Sequence, residues 1–184
     1  NRMDMLEARI QKLQKQYKRI WYMADGIYSM HGDMAPYQEM SALLEQYEQL
    51  HLYVDDAHGI SWTGKYGCGT AVSHFQGHPR VHMTGSLNKS FAGGGGALIF
   101  PNEAAKQKVK MGGGTMIFSG PLQPTVLAAC IASANIHLQH SFEAEQKRFL
   151  HKIQAANRMI EQRGLQQAAV TDTPVFFIQV GMPD

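Results

Sequence analysis

The sequence predicts an α/β fold built on a mostly parallel sheet flanked by helices. Three observations carry that expectation. Short apolar runs alternate with helical patterns of ten or more residues, the signature of βαβ units. The runs at 19–25, 51–55 and 80–86 each finish on an acidic or small polar residue, at the strand ends where ligands of open parallel sheets bind. Of the 184 residues, 44% are apolar and 17% charged, enough to fill a core and too little charge for a disordered chain.

Taken in order, Leu6, Ile10, Leu13 and Tyr17 recur at helical spacing, so the first element is an amphipathic helix with a Lys/Arg/Gln outer face. "RIWYMAD" (19–25) reads as a short buried strand ending in an acid, and "GIYSMHGDMAP" (26–36) as a loop, by its glycines and proline. Pro36 suits the first turn of a helix that then carries Tyr37, Met40, Leu44 and Tyr47 on one face. "HLYVD" (51–55) is the next strand and "AHGISWTGKYGCG" (57–69) a glycine-punctuated loop. Strands at 80–86 and 97–100 bracket "LNKSFAGGGG", helical patterns return at about 102–111, 123–140 and 142–163, and "VFFIQV" (175–180) reads as a final strand stopping near "GMPD".

Several function classes drop out. The net charge is +2 and the cations are dispersed, which excludes a polybasic nucleic-acid surface. No run of 18 apolar residues offers a membrane span. Cys68 and Cys130 are isolated thiols with neither metal spacing nor a disulfide framework, a usage suited to a reducing cytoplasm. The opening "NRMDMLEARI" is unlike a signal peptide and starts inside a helical pattern, as a piece of a longer protein would.

Chemistry gathers at the strand ends. Asp55, Asp56 and His58 fit a solvated turn, a metal site completed by His31 and Asp33, or a cationic heterocycle with Asp55 as its counter-ion. Lys89 lies between a strand and four glycines, Gly93 to Gly96; an amine drawn into a crowded site can act on carbonyls. The glycines suit either close approach to a ligand or neighbouring chain, or a flexible hairpin. Ser29 is small, polar and close to a strand end. No G-x-x-x-x-G-K-(S/T) is present, which disfavours a P-loop NTPase.

In this order the motifs resemble those of the α-oxoamine synthases, enzymes dependent on pyridoxal 5'-phosphate (PLP). "DGIYSMHGDMAP" is similar to E-G-x-F-S-M-D-G-D-x-A-P, and "VDDAHGISWTGKYGCG" to V-D-(D/E)-A-H-(G/S)-x-G-x-x-G-x-x-G-x-G. "TGSLNKSFAGGGGALI" is similar to T-x-(S/T)-x-x-K-x-x-(G/A)-x-x-G-G, and "IFSGPLQP" to (F/Y)-S-(T/S)-x-x-P-P. The resemblance covers nearly the whole chain. It implies a PLP-dependent transferase of type I fold, aspartate aminotransferase-like, in which 1–140 is the second half of the large PLP-binding domain and 141–184 the start of the small one. It implies condensation of an amino acid with an acyl-CoA, with decarboxylation, to an α-amino ketone, by a cytoplasmic homodimer. The alternatives are an aminotransferase of the same fold and a catalytically silent partner subunit; the presence of Lys89 argues against the latter.

The resemblance also implies roles. Lys89 holds the cofactor as a Schiff base and later shuttles protons, Asp55 pairs with the pyridinium nitrogen, and His58 hydrogen-bonds the ring hydroxyl. Ser86 contacts the phosphate, Ser29 lies near the ring oxygen or substrate carboxylate, and Asp56 matches an acid of the motif. The phosphate-binding turn and ring-stacking histidine are expected upstream, and the arginine for the substrate carboxylate downstream. The chain departs from the pattern at His31, Asn88, Gly120 and the bulky Trp62.

Overall fold

The computed structural model describes residues 2–181. The first part of the chain forms α1 (Met3–Leu13), β1 (Ile20–Asp25), α2 (Tyr37–Gln46), β2 (Leu50–Asp55), α3 (Thr70–Phe75), β3 (Val81–Ser86) and β4 (Gly96–Ile99). The rest is helical: α4 (Glu103–Gly112), α5 (Gly114–Ile117), α6 (Pro124–His137) and α7 (Phe142–Gln162). The strands lie in the order β1-β2-β3-β4, with β1–β2 and β2–β3 parallel and β3–β4 antiparallel. The mostly parallel α/β sheet is therefore as expected.

Strand side chains alternate between faces, and here the alternation divides core from site. Ile20 and Ala24, Leu50, Leu52 and Val54, then Val81 and Met83 are buried together with Ile10 of α1, Met40, Leu43 and Leu44 of α2, and Ala71 and Phe75 of α3. Burying a Leu or Val side chain contributes about 2 kcal/mol, so these rows hold the sheet to its three helices. Arg80 closes the C-terminal end of α2, its guanidinium donating to the carbonyls of Leu44, Tyr47 and Leu50. That cation complements the negative end of the helix. The other face carries Asp25 and Asp55 in register, with Thr84 opposite Asp55, at the C-terminal edge of the sheet.

Four local expectations change. The strand at 19–25 is not buried on both sides: Trp21 and Met23 are 46% and 70% exposed, because α1, α2 and α3 pack on the opposite face. Tyr17 lies beyond α1, which ends at Leu13, and is exposed. The short helices α3 and α5 arise where the sequence held too few residues to display a helical stripe. Finally, 175–180 is no strand; a single antiparallel bridge joins Ile178 to Gln167, and among the described residues no neighbouring strand extends it into a ladder. The residues 182–184 where that strand was to stop lie outside the described residues.

Candidate active site

The two adjacent aspartates at the end of β2 turn opposite ways. Asp56 continues the inward row of Leu52 and Val54 and is 2% exposed. Its Oδ1 accepts from Thr70 Oγ1 at 2.7 Å and its Oδ2 from the Ala71 N–H at 2.8 Å, while Tyr37 Oη lies 2.6 Å from Thr70 Oγ1. Glycines enclose this carboxylate. A Cβ at Gly26, Gly59 or Gly69 would stand 2.4, 2.2 or 2.3 Å from one of its oxygens. Much of the glycine punctuation around 57–69 thus makes room for Asp56. Burial pushes its carboxyl up, against the hydrogen bonds from Ala71 and Thr70 that favour the anion. Asp56 fastens β2 to α3 and is structural.

Asp55 turns outward. Among the described residues one carboxylate oxygen is engaged, Oδ1 accepting the Ala57 N–H at 2.9 Å. Beside it a cavity of about 230 Å³ is lined by Met23, Ala24, Asp25, Tyr28, Tyr53 and Asp55. Burial, with Tyr22 adding to it, pushes the Tyr28 hydroxyl up to about 12, so it remains a neutral donor beside the carboxylates.

Lys89 arrives from the β3–β4 connection, and its Nζ stands 2.7 Å from His58 Nε2. Burial and then the positive charge of Lys89 lower the His58 pKa, outweighing Asp25, Asp55 and Asp56. The neutral ring accepts a hydrogen bond from the amine. The backbone carbonyl of His58 is held in turn by the indole N–H of Trp62 at 2.6 Å. Trp62 meets Phe149 of α7 edge-on, at a centroid distance of 5.9 Å.

The lysine loop is a closed set of hydrogen bonds. Ala92 N–H donates to Lys89 O at 2.9 Å, Gly93 N–H to Leu87 O at 2.8 Å and Leu87 N–H to Gly95 O at 3.0 Å. Asn88 ties both arms: its N–H donates to Ser86 Oγ at 3.2 Å and its Oδ1 accepts from Gly95 N–H at 2.9 Å. A Cβ at Gly93 would be 2.6 Å from Cys130 Sγ, and one at Gly94 would be 2.2 Å from Val126 Cγ1. The glycines therefore let α6 of the same chain lie directly against the loop, and the hairpin is packed rather than free.

Of the five residues singled out from the sequence, Lys89 and His58 touch, and Asp55 lies on the same sheet edge within electrostatic reach of His58. Ser86 ends β3 and is occupied by the Asn88 N–H. Ser29 sits in the exposed turn after β1, and no hydrogen bond among the described residues joins it to the others. Tyr28 and Tyr53 were not foreseen as lining residues; Tyr53 could have been, since it stands two residues before Asp55 on the same strand face. No group of three or more His, Cys, Asp or Glu among the described residues is placed to hold a metal ion. A half-engaged carboxylate, a histidine and a reachable amine along one edge do suit a flat, protonated heterocycle bearing a carbonyl.

With this geometry in view, comparisons with known proteins are informative. The model of the family "Aminotransferase class I and II" matches residues 1–183. The 8-amino-7-oxononanoate synthase of Fervidobacterium nodosum is 40% identical over 146 residues, 78% of this chain and 36% of the relative. That of Hydrogenovibrio crunogenus is 32% identical over 165 residues, 89% of this chain and 40% of the relative. The chain thus spans little more than a third of the length of these curated relatives. Among solved structures, a serine palmitoyltransferase from S. paucimobilis with a bound PLP–myriocin aldimine superposes with a TM-score of 0.84 at 20% identity, covering 98% of this chain and 46% of that one. The 8-amino-7-oxononanoate synthase of Francisella tularensis gives 0.67 at 20% identity, covering 95% and 50%. At that identity the superpositions establish the fold.

Proposed function

The chain belongs to the aminotransferase class I and II family, and on that premise we propose that it supplies the cofactor lysine and acidic edge of a PLP-dependent α-oxoamine synthase. The reaction is condensation of an amino acid with an acyl-CoA, with loss of CO2. The observation that carries this reading is the Lys89–His58 contact of 2.7 Å beside outward-facing Asp55, within motifs similar to those of such synthases. PLP, when bound, supplies an electron-withdrawing ring that stabilises negative charge at the substrate α-carbon.

The residues divide the remaining work. Asp55, with one oxygen free of protein partners among the described residues, keeps a proton on the pyridine nitrogen. His58 orients the ring hydroxyl and keeps the Lys89 amine in place. Lys89 holds the cofactor and then carries protons to and from the substrate. Ser86, whose Oγ accepts from the Asn88 N–H and keeps its own proton to donate, would hold the phosphate, and Ser29 would lie near the ring oxygen or the substrate carboxylate.

The assembly we propose is a cytoplasmic homodimer, with the large domain ending near residue 140 between α6 and α7. Its support is the outer side of α5–α6, where Phe118, Leu127, Ile131 and Ile136 are 90%, 48%, 54% and 56% exposed. Apolar surface of that extent is a mark of an interface. No helix among the described residues is long and apolar enough to cross a membrane.

The test uses the whole protein with amino acids and acyl-CoAs, following free CoA and CO2. Asp55→Asn should lower kcat about 100-fold, roughly 2.7 kcal/mol of transition-state stabilisation. Release of a keto acid from an amino acid without any acyl-CoA would instead identify an aminotransferase.

A further inference from the structure

We propose that Ser61 and His137 form a clamp that immobilises the Lys89 loop, making them positioning residues for the amine. The inference rests on the reading of Lys89 above, but it starts from a different place in the molecule. Ser61 is a buried residue with φ of +86°, a backbone conformation that L side chains adopt rarely and at a cost. Something must hold it there. Its Oγ lies 2.8 Å from His137 Nε2 and 3.1 Å from the backbone carbonyl of Ser90, the residue after Lys89. In the singly protonated ring, whose Nδ1–H faces the Ser133 carbonyl, Nε2 accepts the Ser61 hydroxyl proton, and the Ser90 carbonyl lies against the same hydroxyl.

His137 is equally constrained. It is 7% exposed, near the end of α6, with Nδ1 donating to Ser133 O at 2.7 Å. Its ring lies between Phe91 of the lysine loop, at 4.9 Å, and Phe142 of α7, at 4.3 Å. Ser133 Oγ donates to Phe91 O at 2.5 Å. The loop carrying Lys89 is thus held at Phe91 by Ser133 and the His137 ring, while Ser61 fixes that ring and packs its hydroxyl against the Ser90 carbonyl. Gly67 completes the seat, since a Cβ there would be 2.6 Å from both His137 Cδ2 and Ser61 O. The side of Lys89 facing His58 stays open, so the clamp restrains the backbone and leaves the amine exposed.

The experiment compares Ser61→Gly, His137→Leu and His137→Gln in the whole, cofactor-free protein, reading amide hydrogen exchange of residues 88–92 alongside the unfolding midpoint. A second reading follows the rate at which added PLP becomes fixed to Lys89 on borohydride reduction. Ser61→Gly removes the unfavourable φ, so the midpoint should hold or rise while loop exchange accelerates about tenfold, the effect of one lost hydrogen bond. His137→Leu should loosen the loop similarly. His137→Gln, which returns an amide oxygen as acceptor near the Nε2 position, should restore most of the protection. Unchanged loop exchange in Ser61→Gly and His137→Leu, or exchange that rises across the protein only as the midpoint falls, would overturn the clamp. A loosened loop with PLP fixed on a different lysine would leave the clamp standing and remove the reading of Lys89 instead.

Discussion

Residues 10–83 hold one continuous core, whereas the helices after residue 100 bury very little of themselves. In the first region, Leu50, Leu52 and Val54 are fully covered by three helices on a single sheet face. In the second, α4 and α5 bury no residue, α7 buries Ile153, and α6 buries Cys130 and His137 although it is apolar on all sides. A helix without a polar face belongs where both its sides are covered. One side of α6 is occupied by the lysine loop, through Val126, Cys130, Ser133 and His137. Its other side exposes Leu127, Ile131 and Ile136, the face on which we propose that a second subunit packs. Stability therefore resides in the early sheet, while α6 is fastened to the lysine loop.

The largest contrast to test is between two apolar residues of similar size. Leu52→Ala should destabilise the protein by about 3 kcal/mol, since it leaves a cavity within the core. Ile131→Ala should change monomer stability by less than about 0.5 kcal/mol but weaken self-association. Urea midpoints at two protein concentrations would check both. Equal costs that are independent of concentration would erase the distinction between the regions.

A smaller contrast separates polar residues. Asp56→Ala strips the Thr70 hydroxyl and the Ala71 N–H of their buried acceptor and should cost about 2 kcal/mol. Glu143→Ala breaks the pair with Lys147 at 2.7 Å, in which both side chains are solvated, and should leave the unfolding midpoint where it was. A neutral Asp56→Ala would show that the glycine enclosure has no energetic purpose.

The smallest effect concerns pH. His58 has a folded pKa lowered below its ordinary value of about 6.5, so the folded state binds its proton less readily than the unfolded chain. Its contribution to stability is complete above that ordinary value and is lost as pH falls through the lowered folded pKa. His58→Gln should flatten the part of the stability profile that falls below the ordinary histidine pKa of about 6.5. In Lys89→Ala the His58 resonance should titrate at higher pH than in the parent, because the neighbouring positive charge is gone. An unmoved titration would mean that the two side chains are not in contact.

How much of this could be read from residues alone follows from how local each feature is. The three parallel strands and the acidic or small polar residues at their ends were legible, because alternation and turn residues are written in a few consecutive positions. The opposite orientations of Asp55 and Asp56 were legible in principle too, as Asp56 lies two residues after inward-facing Val54. The glycine run signalled close approach, but only tertiary structure says that the approaching group is α6. The 175–180 strand failed for the complementary reason: strand propensity is local, and a ladder needs a partner. The clamp was not legible because 76 residues separate Ser61 from His137, although Ser61 stands where the quoted motif has Gly.

The central claim is that Lys89 is the amine that holds the cofactor, and one measurement tests it most directly. The whole protein is loaded with PLP, reduced with borohydride and digested, and the labelled peptide is sequenced. A single reduced adduct is expected on Lys89, with loss of the visible cofactor absorbance in Lys89→Ala. An adduct on Lys65 or another lysine, or an unaltered absorbance band in Lys89→Ala, would contradict it.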